Sequence, residues 1–151
     1  MFKHVWSVLC RSSVIDNDTN NISLNSVFEQ LGVDIDKQAK GNSIRIPIEY
    51  EIVSFWLNSE SNKERQFFIE TAIIDPKGTR LQSFPQVVVM PVGIKRTRAR
   101  FKIQGLELTV SGNYIFIISF KEKAIESFKK VAEIPLEVKI NFVDSSKVNI
   151  T

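Results

Sequence analysis

Apolar and polar residues alternate along most of this chain with the period of two that belongs to strands. In "SIRIPIEYEIVSFWL", Ile44, Ile46, Ile48, Tyr50 and Ile52 share one face, while Arg45, Glu49 and Glu51 lie on the other. "RQFFIETAIIDPKG" sets Phe68, Ala72 and Ile74 against Phe67, Ile69 and Ile73, then stops at Asp75-Pro76-Lys77-Gly78. Proline at the second turn position and glycine at the fourth suit a type I turn, which predicts a hairpin. "FPQVVVMP", "GIKRTRARFKI", "LELTV" and "YIFIISF" follow, the last two separated by Ser111-Gly112-Asn113. In the closing "IPLEVKINF", Leu136, Val138, Ile140 and Phe142 alternate with Glu137, Lys139 and Asn141. The count is about eight or nine strands joined by short turns, the spacing of a sandwich or barrel. Parallel α/β architecture needs long helical crossovers, for which the chain has too little room.

Two segments fit either period. "SLNSVFEQL" places Leu24, Val27, Phe28 and Leu31 at helical spacing behind a capping Ser23. Read with period two, Val27, Glu29, Leu31 and Val33 share a face instead. A hairpin through "DNDTNN" joins this segment to the first strand, so strand is preferred over 23–31. "KEKAIESFKKVAE" suits one or two turns of helix before the last strand. Composition agrees with a globular β protein: 151 residues, 43% hydrophobic, 25% charged, with eleven Phe favouring pleated positions. A chain of this length buries roughly 70% of the surface it exposes when unfolded. The expectation is an all-β, two-sheet antiparallel sandwich, a single domain over 1–151, with at most one short helix.

"VLCRSSVIDNDTNNISLNSVFEQL", with "IIDPKG", "GLELTVSGNYIFIISF" and "IPLEVKI", resembles a family of small uncharacterised bacterial β-sandwich proteins. Their pattern opens with a strand, an acidic-polar turn and a short apolar segment, and later has an Asp-Pro-x-Gly hairpin and a Gly-x-Tyr strand start. The likeness covers most of the chain and rests on turns and core positions. It implies an immunoglobulin-like or C2-like arrangement of two sheets and implies no activity.

One cysteine, Cys10, rules out an intramolecular disulfide and any multi-thiolate metal site. Nothing therefore calls for an oxidising compartment. Arg11 interrupts the first apolar run too early for a signal-peptide core, and no apolar stretch of about 18 residues predicts a membrane span. A cytoplasmic address is expected. Asn17-Asp18-Thr19, Asn21-Ile22-Ser23 and Asn149-Ile150-Thr151 match the glycosylation pattern, which means little without secretion.

Asp16, Asp18 and Asn20 match the first three ligand positions of an EF-hand loop, D-x-[DN]-x-[DN]. The match then fails, because Asn21 replaces the turn glycine and Val27 the bidentate glutamate. A looser calcium site would have to recruit Asp34, Asp36 or Asp75. Asp and Asn also close plain turns, and that reading is preferred. His4 and Cys10 share parity, yet six residues at about 3.3 Å each hold them roughly 20 Å apart, too far for a catalytic dyad. Cys10 reads as a small buried hydrophobe, and Trp6 and Trp56 as packing residues. Glu49 and Glu51 share a strand face, as solvent-facing acids commonly do. No glycine-rich phosphate loop and no zinc spacing occurs. The chain is expected to be non-enzymatic, with no cofactor and no small-molecule substrate.

The strongest local signal is "IKRTRARFKI". Lys95, Thr97, Ala99, Phe101 and Ile103 fall on one face, leaving Arg96, Arg98, Arg100 and Lys102 on the other. The segment 95–102 holds five of the 20 basic residues and no acid; without it, 15 basic residues face 17 acidic ones and the net +3 becomes −2. Four like charges over roughly 20 Å repel unless neighbouring strands supply acids, for which Glu49, Glu51 or Glu137 are candidates. The plain reading is a solvated face in cross-strand ion pairs. The functional one is a docking stripe for an acidic surface, with an acidic protein or a second copy preferred over nucleic acid. Phe101 falls on the opposite face, so no aromatic interleaves the cations for base stacking. A nucleic-acid-binding module, and a C2-like domain binding calcium or a lipid headgroup, are the alternatives. A third use of such charge is to keep an edge strand from pairing with another sheet.

Overall fold

Period-two alternation becomes nine strands in the computed structural model, which describes residues 1–39, 41, 43–144 and 146. They are β1 (Phe2–Ile15), β2 (Ile22–Val27), β3 (Gln30–Asp36), β4 (Ile44–Asn58), β5 (Arg65–Ile74), β6 (Arg80–Met90), β7 (Arg96–Leu108), β8 (Gly112–Lys121) and β9 (Lys129–Val143). One sheet runs β2-β1-β4-β7 and the other β3-β9-β8-β5-β6, so the protein is an all-β sandwich. Every pairing is antiparallel except β3 with β9, which is parallel. The Asn149 glycosylation triplet lies outside the described residues. Among the described residues no helix is long and apolar enough to cross a membrane.

The core is the set of inward positions that the alternation marks. Tyr50 and Trp56 descend from β4; Phe67, Phe116 and Phe120 rise from β5 and β8. Trp56 meets Phe67 with ring centroids 4.8 Å apart and Phe120 at 5.1 Å, while Tyr50 meets Phe116 edge-on at 6.1 Å. Such tilted and edge-on pairs add to the area they bury. Two strand prolines sit where a missing N–H costs little. Pro85 lies on the edge strand β6, and Pro47 in a bulge where β4 slips against β7.

Two expectations change. The segment 23–31 is strand, as preferred, but not one strand. With Ser26 at φ 53°, the chain leaves the first sheet after β2 and enters the second as β3. Phe28 N donates to Leu9 O at 2.8 Å and Glu137 N to Glu29 O at 3.1 Å, so the crossing point is bonded to both sheets. "KEKAIESFKKVAE" contains no helix. Residues 122–128 form a turn closed by Glu126 N donating to Lys123 O at 3.0 Å, and Lys129 already pairs with Phe120. Pairing with β8 overrides the local helical preference. A 3-10 turn occurs instead at Lys37–Ala39.

The predicted Asp75–Gly78 turn forms, with Gly78 N donating to Asp75 O at 3.0 Å and Gly78 at φ 87°. Its aspartate does more than turn the chain. Asp75 Oδ1 accepts from Lys77 N at 3.0 Å and Thr79 N at 2.8 Å, and Oδ2 accepts from Thr109 Oγ1 at 2.6 Å. The Tyr114 hydroxyl donates to Val110 O at 2.6 Å and accepts from Thr109 N at 2.9 Å. A Cβ on Gly112 would stand 2.9 Å from Pro76. This end of the sandwich is therefore locked turn against turn.

Candidate functional site on the outer face of the basic strand

Strand register builds the site. β7 is the edge of the first sheet, and β4 beside it pairs with β1. On the outer face Trp6 of β1 stands opposite Phe55 of β4, and Phe55 opposite Arg98 of β7. The next outward rows are Val8–Val53–Arg100 and Cys10–Glu51–Lys102. Simple parity would have turned Trp6 inward with Phe2 and His4. A bulge at Val5, between the pairs His4–Trp56 and Trp6–Phe55, reverses that. One inserted residue moves all that follows to the other face.

The shared parity of His4 and Cys10 is thereby corrected. His4 points inward, its ring edge-on to Trp56 with centroids 5.0 Å apart and its Nε2 2.7 Å from Ser7 Oγ. Burial lowers the His4 pKa, a backbone hydrogen bond at Trp6 opposing it. Cys10 lies on the other side, fully buried, its thiol pKa pushed up by burial and then by the nearby charge of Glu51.

The outer face is not simply solvated. The β1–β2 hairpin curls over it, which explains why outward Val53 is 0% and Glu51 only 4% exposed. Arg100 donates through Nε to Ser13 Oγ at 2.8 Å and through Nη2 to Ser13 O at 2.9 Å, with Glu51 Oε1 4.0 Å from Nη2. Ser13 Oγ in turn donates to Glu51 Oε2. The hairpin tip reaches farther: Arg98 Nη2 donates to Asn20 O at 2.7 Å and to Asn20 Oδ1 at 3.1 Å. Arg96 and Lys102 are exposed and have no side-chain partner among the described residues.

The four cations thus divide. Glu51 supplies the cross-strand acid expected for Arg100, whereas Glu49 engages Gln104 at 3.3 Å and Glu137 belongs to the other sheet. Phe101 does face inward, packing on Phe84 at 5.5 Å. Aromatic rings nevertheless flank the cations, because Trp6 and Phe55 stack at 5.7 Å and 15° on the outer face. Sequence reasoning missed them, since only the bulge turns Trp6 outward. Between this row and the hairpin lies a cleft of about 620 Å³. Its walls are Trp6 and Phe55, Arg96 and Arg98, and the hairpin residues around Asn20.

The "DNDTNN" stretch is the turn that makes this hairpin. Asp16 Oδ1 accepts from Asp18 N at 2.7 Å and Thr19 N at 3.0 Å, and Asn20 adopts φ 60°. Those two backbone N–H bonds hold the Asp16 carboxyl below its usual pKa. Asp34 and Asp36 lie on β3 in the second sheet and Asp75 in the β5–β6 turn. Among the described residues no three His, Cys, Asp or Glu side chains group as metal ligands.

The chain matches no protein-family model and no curated protein sequence. Among solved structures it is similar to a β-glucuronidase of Bacteroides uniformis, with 9% identity and a TM-score of 0.46 over 74% of this chain and 15% of that one. It is also similar to a β-glucuronidase from glycoside hydrolase family 2, with 13% identity and a TM-score of 0.42 over 74% of this chain and 13% of that one. The chain spans less than a sixth of either enzyme, and likeness at this level carries no argument about what it does.

Proposed function

We propose that the chain is a non-enzymatic binding module that docks an acidic protein surface through the outer face of β7. The observation that carries this reading is the pair of exposed cations, Arg96 and Lys102, without a side-chain partner among the described residues, at either end of a basic run on an edge strand. Cations held in ion pairs offer little to a partner, whereas unpaired ones gain charge-assisted bonds on contact. A second copy is a poorer occupant of the same face, because two β7 strands side by side would oppose like charges. The Tyr114 hydroxyl, bonded four residues upstream at the start of β8, supports an immunoglobulin-like version of the sandwich. A lone buried cysteine suits a reducing compartment such as the cytoplasm.

Nucleic acid is the second reading, favoured by the Trp6–Phe55 stack beside Arg96 and Arg98. Binding of a labelled Glu/Asp-rich peptide and of a single-stranded oligonucleotide, each at low and high salt, separates the two. The docking reading expects the peptide to bind more tightly, and Arg96→Glu with Lys102→Glu to abolish it while the melting temperature holds. Tighter oligonucleotide binding with a steep salt dependence transfers the site to nucleic acid. Peptide binding unchanged in the double variant removes β7 from the argument.

A further inference from the structure

The cleft under the β1–β2 hairpin holds two guanidinium groups, and among the described residues no acidic one lines it. That imbalance is local, because two residues along the same strand Arg100 is neutralised by Glu51. Arg98 is also pre-positioned. Asn20 takes its Nη2 through two acceptors, which leaves Nε and Nη1 without a protein partner among the described residues. Arg96, two residues away on the same face, stands roughly 7 Å along the strand. Beside these donors on the same sheet face lies an apolar surface: the stacked, half-buried rings of Trp6 and Phe55, with Ile15 and Ile22, the last pair before the hairpin turn, also lining the cleft. A cavity of about 620 Å³ lies within the range of small-molecule sites, and rings plus a few fixed polar groups are their usual lining.

We infer that this cleft binds a small organic anion with a flat ring, the ring lying against Trp6 and Phe55 and the anionic group held by Arg96 and Arg98. A phosphate or a carboxylate would serve in geometry, since a guanidinium grips either in bidentate fashion. A ring without an anion leaves the two guanidinium groups uncompensated. An anion without a ring leaves the stacked aromatics in water. This inference goes beyond the docking reading: the two share Arg96, but the cleft adds Arg98 and the aromatic rings, and Lys102 lies outside it.

Trp6 lies in the cleft and Trp56 is 0% exposed, so quenching of tryptophan emission reports occupancy of the site. Adenosine monophosphate and benzoate are the two ring-bearing probes; adenosine and inorganic phosphate are the controls that each lack one feature. The expected result is saturable quenching by adenosine monophosphate or benzoate and at least about tenfold weaker binding of both controls, the scale of one lost charge-assisted contact. Benzoate and phenyl phosphate, which share one ring, then identify carboxylate or phosphate as the anion by whichever binds more tightly. Arg96→Gln, at an exposed position with no side-chain partner among the described residues, should weaken the better probe about tenfold as well. Phe55→Leu should do the same, and Trp6→Phe should remove the optical signal while calorimetry still detects binding. Equal binding of phosphate and adenosine monophosphate would reduce the site to a basic patch and overturn the inference. So would absence of binding by both ring-bearing probes, or an Arg96→Gln protein that binds as the wild type does.

Discussion

Two hairpin turns in this chain open on an aspartate and use it alike. Asp16 Oδ1 takes the N–H groups of Asp18 and Thr19, and Asp75 Oδ1 those of Lys77 and Thr79. Each is followed by a residue with positive φ, Asn20 and Gly78. Their surroundings differ. Asp75 is buried and spends its second oxygen on Thr109 of another connection, next to the Tyr114 hydroxyl. Asp16 is exposed, and the end of its hairpin is held by Arg98 and Arg100 on a strand two places away and by Glu51 on the strand between. The same local device thus cements one end of the sandwich and at the other holds a flap over a charged cleft. What a turn packs on, rather than how it turns, decides between structure and site.

Breaking the closed end should cost most. Tyr114→Phe removes one donor and one acceptor that serve Val110 and Thr109, leaving those backbone groups unpaired in a half-buried position. The expected loss is about 2–3 kcal/mol in urea unfolding. For a chain of this size that is a fall in Tm of roughly 4–12 °C. At the flap, Arg100→Met should cost about 1–2 kcal/mol, because Glu51, 4% exposed, keeps Ser13 but loses its cation. Arg96→Met, by contrast, should stay within about 0.5 kcal/mol of wild type. If Arg96→Met destabilises as much as Arg100→Met, the division of β7 into structural and available cations is wrong.

The strands and the Asp75–Gly78 turn were legible because their signals are local: alternation, and a proline and glycine at fixed turn positions. The basic face of β7 was legible for the same reason. The cleft was not. Its aromatic wall depends on a single bulge at Val5, which reverses the parity of Trp6, and no residue type at Val5 announces it. Its roof depends on a hairpin bending across two strands to reach Arg98, a contact between residues 78 apart in sequence. The switch of sheets between β2 and β3 was hidden likewise, since both halves of "SLNSVFEQL" look like strand and only tertiary pairing separates them. Turn chemistry at "DNDTNN" and charge at 95–102 were each visible, and their meeting was not.

Acid should separate the two turns with the smallest signal. Thr109 Oγ1–H and then backbone N–H groups hold the Asp75 carboxyl below its ordinary pKa, and the backbone N–H groups of Thr19 and Asp18 are the main cause of the lowered pKa of Asp16. A carboxyl whose folded pKa lies below its unfolded value of about 3.9 stabilises the fold fully above that pH. The contribution is lost as pH falls through the folded value, because the unfolded chain takes up the proton first. Tm should therefore decline below about pH 4, and Asp75→Asn, lower in Tm at neutral pH, should flatten that decline. Asp16→Asn should leave both the neutral Tm and the slope nearly unchanged, since an exposed turn gains little from a bond that water can replace. Equal flattening by the two substitutions would mean that the hairpin over the cleft is as firmly built into the fold as the closed end. The cleft beneath it would then be a fixed pocket and not one under a separately held flap.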